Sequence, residues 1–440
     1  MGFFFAFVGL ADFALAFFFA MMTFSMMDVK WKPASFYASF SIFLLPSLIG
    51  HNRKVSLLLT AVGFSTRALV QCANRDGMSV RSLDCCGDRD TLELSCASQL
   101  IELSELSWIK SLEPSTRVML AGGMEDSAEA LELLSQVDAT IIPEQYRQMR
   151  DWRNWRRWSL GSGIKFPSTY PIEDWPGAQV AQAIGPTYHA IQANQKWLWK
   201  KQRSAGGLGV KFIDSENLPD PSLLRANFSF ESGVLQEYVT GKSIGVSFLS
   251  SHHGTVILGM AESIPLQPHI WSDFIYRGSI GPVGIPDWLK SLIHKFANFV
   301  TSSTGWCGLW QADFMLSERE LYLIEINPRW TASMELIACG YDLPLVTWHV
   351  ESPHVALSDW TSMQSIINAS QDKSHSRFRK EIRYADEDRI VSSDEHETWW
   401  QSRWIARERD ESGVWFADIP RPHTSLHKNA PVYSVIELIG

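Results

Sequence analysis

Between Val55 and Ile142 the chain alternates strand-length apolar runs with helix-patterned stretches, and this alternation constrains the fold of its 440 residues more than any other feature. Val55–Thr60 (VSLLLT) is continuously apolar, and Ser65–Asn74 follows with helical texture. Ser79–Leu83, Arg117–Leu120 and Ala139–Ile142 read as further strands, with Ser127–Val137 carrying apolar residues at helical spacing between the last two. A strand with no polar alternation has to be covered on both faces, and helices between successive strands provide that cover in a parallel sheet. The expectation is an α/β chain whose first folded unit is a doubly wound parallel sheet running to about Pro143.

The chain is long enough for about three packed units at ~100–200 residues each. Hydrophobic residues make up 45% of it, including 24 Phe and 19 Trp, which excludes charge-rich disorder. Its 48 acids against 39 bases leave a net charge of −9, so it lacks the basic field that holds nucleic acid. The cysteines (Cys72, Cys85, Cys86, Cys96, Cys307, Cys339) form no C-x-x-C pair and read as reduced cytosolic thiols.

Residues 3–27 are almost all apolar and, as a helix, are long enough to span a ~30 Å bilayer. With Lys30 and Lys32 behind it, this stretch reads either as a membrane anchor or as an extension upstream of the true start; no basic region precedes it, as a signal peptide requires. Asp12 within the span would cost an anchor about 2.5–3.5 kcal/mol.

Gln145–Leu160 sets Arg147, Arg150, Arg153 and Arg156 every third residue beside Trp152, Trp155 and Trp158, predicting one helix with its Trp rings packed and its Arg heads in water. Further on, strands are expected at Val234–Val239, in a hairpin of Ser243–Ser250 and Thr255–Met260 around His252-His253-Gly254, and in a second hairpin of Gln311–Leu316 and Glu320–Ile326. Ser291–Ser303 reads as a helix, and Trp415–Ile419 and Val432–Ile439 as late strands.

Three stretches carry chemistry. Trp197–Lys201 is an apolar strand ending in cations, followed by a loop containing Gly206, Gly207 and Gly209. Glycines let backbone N–H groups close on phosphate oxygens while Lys200 supplies a point charge, although a plain Gly-rich hairpin has the same look. No Walker loop is present. Next, Leu235-Gln236-Glu237-Tyr238-Val239 leads into Gly241 and can offer backbone groups to a base edge; an ordinary strand end is the plain alternative. Lastly, Asp313 lies in the first strand of a hairpin whose second strand leads into Glu325-Ile326-Asn327-Pro328-Arg329. Period-2 geometry puts Glu325 and Asn327 on one face, and Asp313 beside them would complete three hard oxygen ligands for Mg²⁺. Arg329 suits a phosphate or a developing oxyanion.

In this order, over roughly residues 53–440, these stretches resemble the ATP-grasp superfamily, and within it the carboxylate–amine ligases, including a group similar to tyramine–glutamate ligases. The resemblance implies the ATP-grasp fold: an N-terminal parallel α/β pre-domain at 51–143, a two-lobed nucleotide-binding core at 144–370 and a small β-rich C-terminal module at 371–440. The apolar segment 1–50 stands apart. It further implies that Lys200 contacts ATP phosphates under a lid of Gly206, Gly207 and Gly209, that Glu237 and Val239 meet adenine through their backbone with Gln236 alongside, and that Asp313, Glu325 and Asn327 hold Mg²⁺, with Mn²⁺ as an alternative ion. Arg329, with Lys200, would stabilise an acyl phosphate or its adduct.

The implied activity is ligation of a small-molecule carboxylate to an amine or thiol, in the cytoplasm or, in the alternative, at a membrane, by a chain that can form homo-oligomers. A non-catalytic ATP-binding sensor or scaffold on the same fold is the second reading. Tyr276-Arg277-Gly278-Ser279 loosely matches a substrate-side loop of related sequences. Two positions depart from the pattern: Arg150-Asp151-Trp152-Arg153 occupies the zone of an earlier ATP-contacting lysine, and Ser243 stands where many members have a ribose-binding Glu.

Overall fold

The computed structural model describes residues 58–172, 196–201, 206–213, 233–265, 274–372, 376–405 and 413–440. The apolar segment at 1–50 lies outside them. Among the described residues, no helix is long and apolar enough to cross a membrane.

The first sheet is all parallel, in the order β3-β2-β1-β4, from β1 (Leu59–Gly63), β2 (Val80–Asp84), β3 (Ala97–Leu100) and β4 (Arg117–Leu120). Helices α1 (Arg67–Arg75), α2 (Arg89–Leu94) and α3 (Ala128–Ser135) connect and cover it. The α/β expectation holds, with two corrections. Ala139–Ile142 is not a strand: the Asp138 carboxylate accepts from the backbone N–H of Thr140 at 2.9 Å and of Val118 at 2.8 Å, and this turns the chain away from the sheet. The fourth strand is instead β3, an exposed and largely polar edge with no apolar signature. Strand β1 also runs later than expected, through Gly63, where a Cβ would press on the Ala121 backbone 2.9 Å away.

The single helix expected over 145–160 is two, α4 (Pro143–Arg150) and α5 (Trp152–Ser162). Asp151 adopts an extended conformation between them, and its side chain caps α5 by accepting from the Arg153 N–H at 2.9 Å. The break rotates Arg150 out of the arginine stripe. Trp155 and Trp158 are buried as expected, whereas Arg147, Arg153 and Arg156 reach solvent.

A second four-stranded sheet, in the order β5-β8-β6-β7, contains β5 (Thr169–Ile172), β6 (Trp197–Lys201), β7 (Val210–Ile213) and β8 (Gly233–Glu237), all antiparallel. The largest sheet runs β13-β12-β9-β10-β11-β14-β18-β16. Its strands are β9 (Lys242–Ser251), β10 (Gly254–Ser263), β11 (Gly278–Val283), β12 (Gly308–Ser317), β13 (Glu320–Asn327), β14 (Phe378–Tyr384), β16 (Val414–Ala417) and β18 (Pro431–Leu438). A small pair, β15 (Arg389–Ile390) with β17 (Ser425–Leu426), lies apart.

Helix α6 (Asp287–Thr304) packs on the large sheet through Leu289, Ile293, Phe296, Ala297 and Val300, all fully buried at helical spacing. Phe296 meets Phe314 edge-on at 5.6 Å, while Phe248 stacks on Trp310 at 4.2 Å. Burying each large side chain in this layer contributes about 1.5–3 kcal/mol. Helices α7 (Met334–Tyr341), α8 (Leu345–Glu351) and α9 (Leu357–Asp372) share a core with β1 and α1. Helix α10 (Ser393–Gln401) starts with a Ser392–Glu395 capping box.

One buried ionic knot ties distant segments together. The Arg67 guanidinium donates to Glu335 on α7 through both terminal nitrogens (2.7 Å for the longer bond), to Asp418 Oδ1 at 2.9 Å and to Gln71 at 2.7 Å. Lys380 on β14 donates to the same Glu335 at 2.9 Å, and Ser434 on β18 closes on Asp418.

Candidate active site

The site starts from the β12–β13 hairpin. Asp313 pairs with Glu325 and Gln311 with Asn327 in register, so four polar side chains share one face of otherwise apolar strands. A bulge at Ile324 shifts the register just beyond this group. Asp313 accepts from Gln311 Nε2 at 2.7 Å and from Asn327 Nδ2 at 2.8 Å. Gln311 is itself fixed, because its Oε1 accepts from Thr331 at 2.6 Å and Ser333 at 2.7 Å. Burial, with Glu325 alongside, pushes Asp313 up to about 7.

Two arginines close over this face. Arg329, two residues past Asn327, donates through Nε to the buried Glu125 and through a terminal nitrogen to Asn327 Oδ1 at 3.1 Å. Arg150, at the end of α4, makes a two-bond fork on Asp126 at 2.7 and 2.8 Å, then reaches Glu325 Oε1 at 2.7 Å and the Ile326 carbonyl at 2.8 Å. Burial alone would raise Glu125, but Arg329 and Arg150 outweigh it and hold the carboxyl at about 2. Burial opposes the charge on Arg150, which Glu325 and Asp126 nevertheless keep in place. Both arginines face Asn327 Oδ1. Turning that amide would set donors against donors, so they fix its nitrogen on Asp313.

Lys200 approaches from β6. Burial lowers its ammonium to about 8 against the opposing pull of Glu325 and Asp313, so it lies in the field of both acids. Residues 202–205 of the glycine loop lie outside the described residues. Gly206, Gly207 and Gly209 have φ of 62°, 81° and 79°. A Cβ on Gly207 would collide with the Phe274 carbonyl, and Gly206 accepts from the Tyr276 N–H at 2.8 Å. The loop therefore rests on the 274–276 segment, where Tyr276 bonds Ser279 at 2.9 Å and Arg277 is buried.

Along β8, Gln236 is buried with its Nε2 on Thr169 Oγ1 at 3.0 Å, and the Glu237 N–H donates to the Ser168 carbonyl at 2.8 Å. Val239 follows half-buried. Beside it, Phe212 packs against Tyr238 (4.9 Å) and Phe274 (4.8 Å), with Lys196 Nζ over the Phe212 ring. Ser243 bonds Ser263 at 3.0 Å.

The donor set fits a hard divalent cation. Asp313 and the second oxygen of Glu325 present carboxylate lone pairs, while Asn327 Oδ1 is turned to the arginines. Among the described residues, no group of three or more His, Cys, Asp or Glu converges on one point.

Residues 164–333 match the family defined as the ATP-grasp domain. This stretch is an ATP-grasp domain. It contains the strands that carry Lys200, Asp313, Glu325 and Asn327, together with Arg329. The D-alanine–D-alanine ligase of Petrotoga mobilis is 24% identical over 132 residues, which is 29% of this chain and 44% of that protein, so the chain spans under half the length of this curated relative.

Among solved structures, the ATP complex of carboxyaminoimidazole ribonucleotide synthase from Aspergillus clavatus superposes with a TM-score of 0.61 at 14% identity, covering 87% of this chain and 93% of that one. The biotin carboxylase domain of Hydrogenobacter thermophilus 2-oxoglutarate carboxylase, crystallised with MgADP, ADP and bicarbonate, gives 0.60 at 10% identity, covering 87% and 86%. Carboxyaminoimidazole ribonucleotide synthetase from Thermus thermophilus gives 0.59 at 13%, covering 87% and 93%. These likenesses carry the ATP-grasp fold beyond the matched domain, across the parallel sheet and the late strands.

Sequence reasoning missed Glu125 and Asp126, which bind the two arginines from the loop after β4. They follow Gly122-Gly123 at the carboxyl end of a parallel strand, the edge where α/β sheets gather ligand-handling residues, and that was the available signal. The Phe212–Tyr238–Phe274 cluster had no signal, because three separate segments supply it.

Proposed function

We propose that the protein is an ATP- and Mg²⁺-dependent ligase that joins a small-molecule carboxylate to an amine through an acyl phosphate, releasing ADP and phosphate. The observation that carries this reading is the facing pair Asp313 and Glu325, with Lys200 held in their field and Arg329 beside Asn327. The relatives named as ligase, synthase and carboxylase support it.

In the first step a substrate carboxylate oxygen attacks the γ-phosphorus, and the bond to the β–γ bridging oxygen breaks with its electron pair leaving on ADP. The amine then attacks the acyl carbon, phosphate departs with the C–O bonding pair, and the ammonium proton passes to solvent. Bound Mg²⁺ supplies charge neutralisation on the phosphates. Asp313 and Glu325 would hold it; Asn327 would join them only if its oxygen turned away from Arg150 and Arg329. Lys200 sets a fixed cation against the transferring group in a partly buried site where its charge counts for more than in water. Arg329 is placed for the oxyanion of the acyl adduct. Gly206, Gly207 and Gly209 let the backbone of the loop approach the phosphates, and the Glu237–Val239 edge beside the aromatic cluster receives the base, with Gln236 behind it.

Calorimetry on the full chain tests the nucleotide site: ADP binds with Mg²⁺ present, and Lys200→Ala weakens it by about 10–100-fold. Product analysis tests the chemistry. ADP and phosphate formed only when acid and amine are both present sustain the ligase reading. Tight binding without turnover against a panel of acids and amines replaces it with a nucleotide sensor, the reading that the acid-bound Arg150 and Ser243 favour.

A further inference from the structure

Nothing in the proposed chemistry explains the place of Arg150 and its partner Asp126 at the site. Its guanidinium is nearly sealed, with 10% of the side chain exposed, and it uses three nitrogens on acceptors. The fork on Asp126 fixes its plane, and the remaining terminal nitrogen lies on Glu325 Oε1, the Ile326 carbonyl and the edge of Asn327. A carboxylate that bridges two metal ions needs both of its oxygens, and here one oxygen of Glu325 is already occupied by a cation. Asn327 cannot replace it, because its oxygen also faces the guanidinium groups.

We infer that Arg150 takes the place of a second divalent cation, so that the site loads one metal ion with each nucleotide, on Asp313 and the free oxygen of Glu325. This rests on the ligase reading for the nucleotide and deepens it for the metal. Phosphoryl transfer to a carboxylate brings several negative charges together. Where two metal ions clamp such a transfer, the second neutralises charge on the far side of the phosphates. A guanidinium fixed on Asp126 holds a cation permanently on one oxygen of Glu325, at the place where a second metal ion would need that oxygen. Glu125 performs the same anchoring for Arg329 one residue earlier, so a two-acid step in a single loop positions both cations. By this argument Arg150 and Asp126 are positioning residues, and Glu325 remains the metal ligand.

The experiment counts metal ions directly. Full-length protein with saturating ADP is titrated with Mn²⁺, and bound ions are counted from the loss of the free-ion electron paramagnetic resonance signal. One Mn²⁺ per chain is expected in the wild type and in Arg150→Lys, which keeps a cation. Two are expected in Arg150→Met, because Glu325 then recovers its second oxygen. Asp126→Asn, which frees the guanidinium to pair more fully with Glu325, is expected to keep the count at one and weaken Mn²⁺ by about tenfold. Two ions in the wild type overturn the inference while leaving the ligase reading intact. No Mn²⁺ bound in the presence of ADP overturns the ligase reading, and the inference falls with it. Should Arg150→Met not fold, the wild-type count and Asp126→Asn still decide.

Discussion

Arg67 and Arg150 are built from the same parts and serve different ends. Each guanidinium grips two carboxylates from segments far away in the chain. Around Arg67, neither it nor Glu335 has any exposed side-chain area, and Lys380, Trp404 and Ser434 take up further lone pairs of Glu335 and Asp418. Around Arg150, Glu325 keeps 31% of its side chain exposed and, among the described residues, one oxygen without a hydrogen-bond partner. A saturated and sealed ionic cluster fixes the packing of its elements, whereas an open one with spare lone pairs can bind. Residue type does not separate the two; the state of the last oxygen does.

The largest effect should come from the sealed cluster. Arg67→Met leaves the fully buried Glu335 and the half-buried Asp418 short of a partner, a change that costs about 3–5 kcal/mol. Urea unfolding or soluble yield would show it, and an unchanged midpoint would mean that Lys380 alone sustains the knot. At the open cluster the loss should be functional. Glu325→Ala is expected to lower turnover by roughly 10²–10³-fold or more while the unfolding midpoint stays near wild type. A collapse in stability would place Glu325 with Arg67 and end the comparison.

Acid should loosen both clusters, because Arg67 and Lys380 overcome burial and hold Glu335 and Asp418 below the ordinary carboxylate value, as the arginines of the open cluster hold Glu125. Glu125 is held at about 2, below the ordinary carboxylate value, so its contribution of ~3 kcal/mol is fully present above that ordinary value and is lost as pH falls towards 2. Asp90, whose carboxylate lies 3.9 Å from Arg67 Nε at the margin of the sealed cluster, runs the other way: burial pushes it up to about 7, so its contribution is fully present below the ordinary carboxylate value and is lost as pH rises through about 7. Unfolding free energies measured from pH 2 to 8 should show the cost of Glu125→Gln shrinking towards the acid end; a flat difference would remove the ion pair from the account. The smallest effect belongs to Arg147, which sits on the same stripe but pairs in open water with Glu132 and Glu144. Arg147→Ala should leave both the unfolding midpoint and ADP affinity unchanged in the assays above.

Elements whose signal is local were legible in the sequence. The apolar strands β2 and β4, the His252-His253-Gly254 hairpin and the facing of Asp313 with Glu325 all follow from periodicity within a few residues. Strand β3 was hidden because an exposed edge needs no apolar side chains, and Ala139–Ile142 misled because apolar residues after a self-capping Asp138 look like a strand. The arginine stripe gave Arg150 the same weight as Arg147. Only the helix break at Asp151 and carboxylates on other elements, Asp126 and Glu325, set it apart, and no window on one sequence contains all of these. The ATP-grasp resemblance was readable for a related reason: its most specific part, Glu325-Ile326-Asn327-Pro328-Arg329, is contiguous.

The Arg67–Asp418 bond also has a consequence in time. The two residues are 351 positions apart, and a ribosome adding ~5–20 residues per second needs roughly 20–70 s to join them. During that interval the growing chain carries an arginine that still lacks its Asp418 partner. Helix α1 cannot settle on its final neighbours until β16 and β18 emerge and complete the sheet. Biogenesis of this protein is therefore gated by its last strands, and arrested chains that stop short of Asp418 should stay open to protease when finished ones have closed.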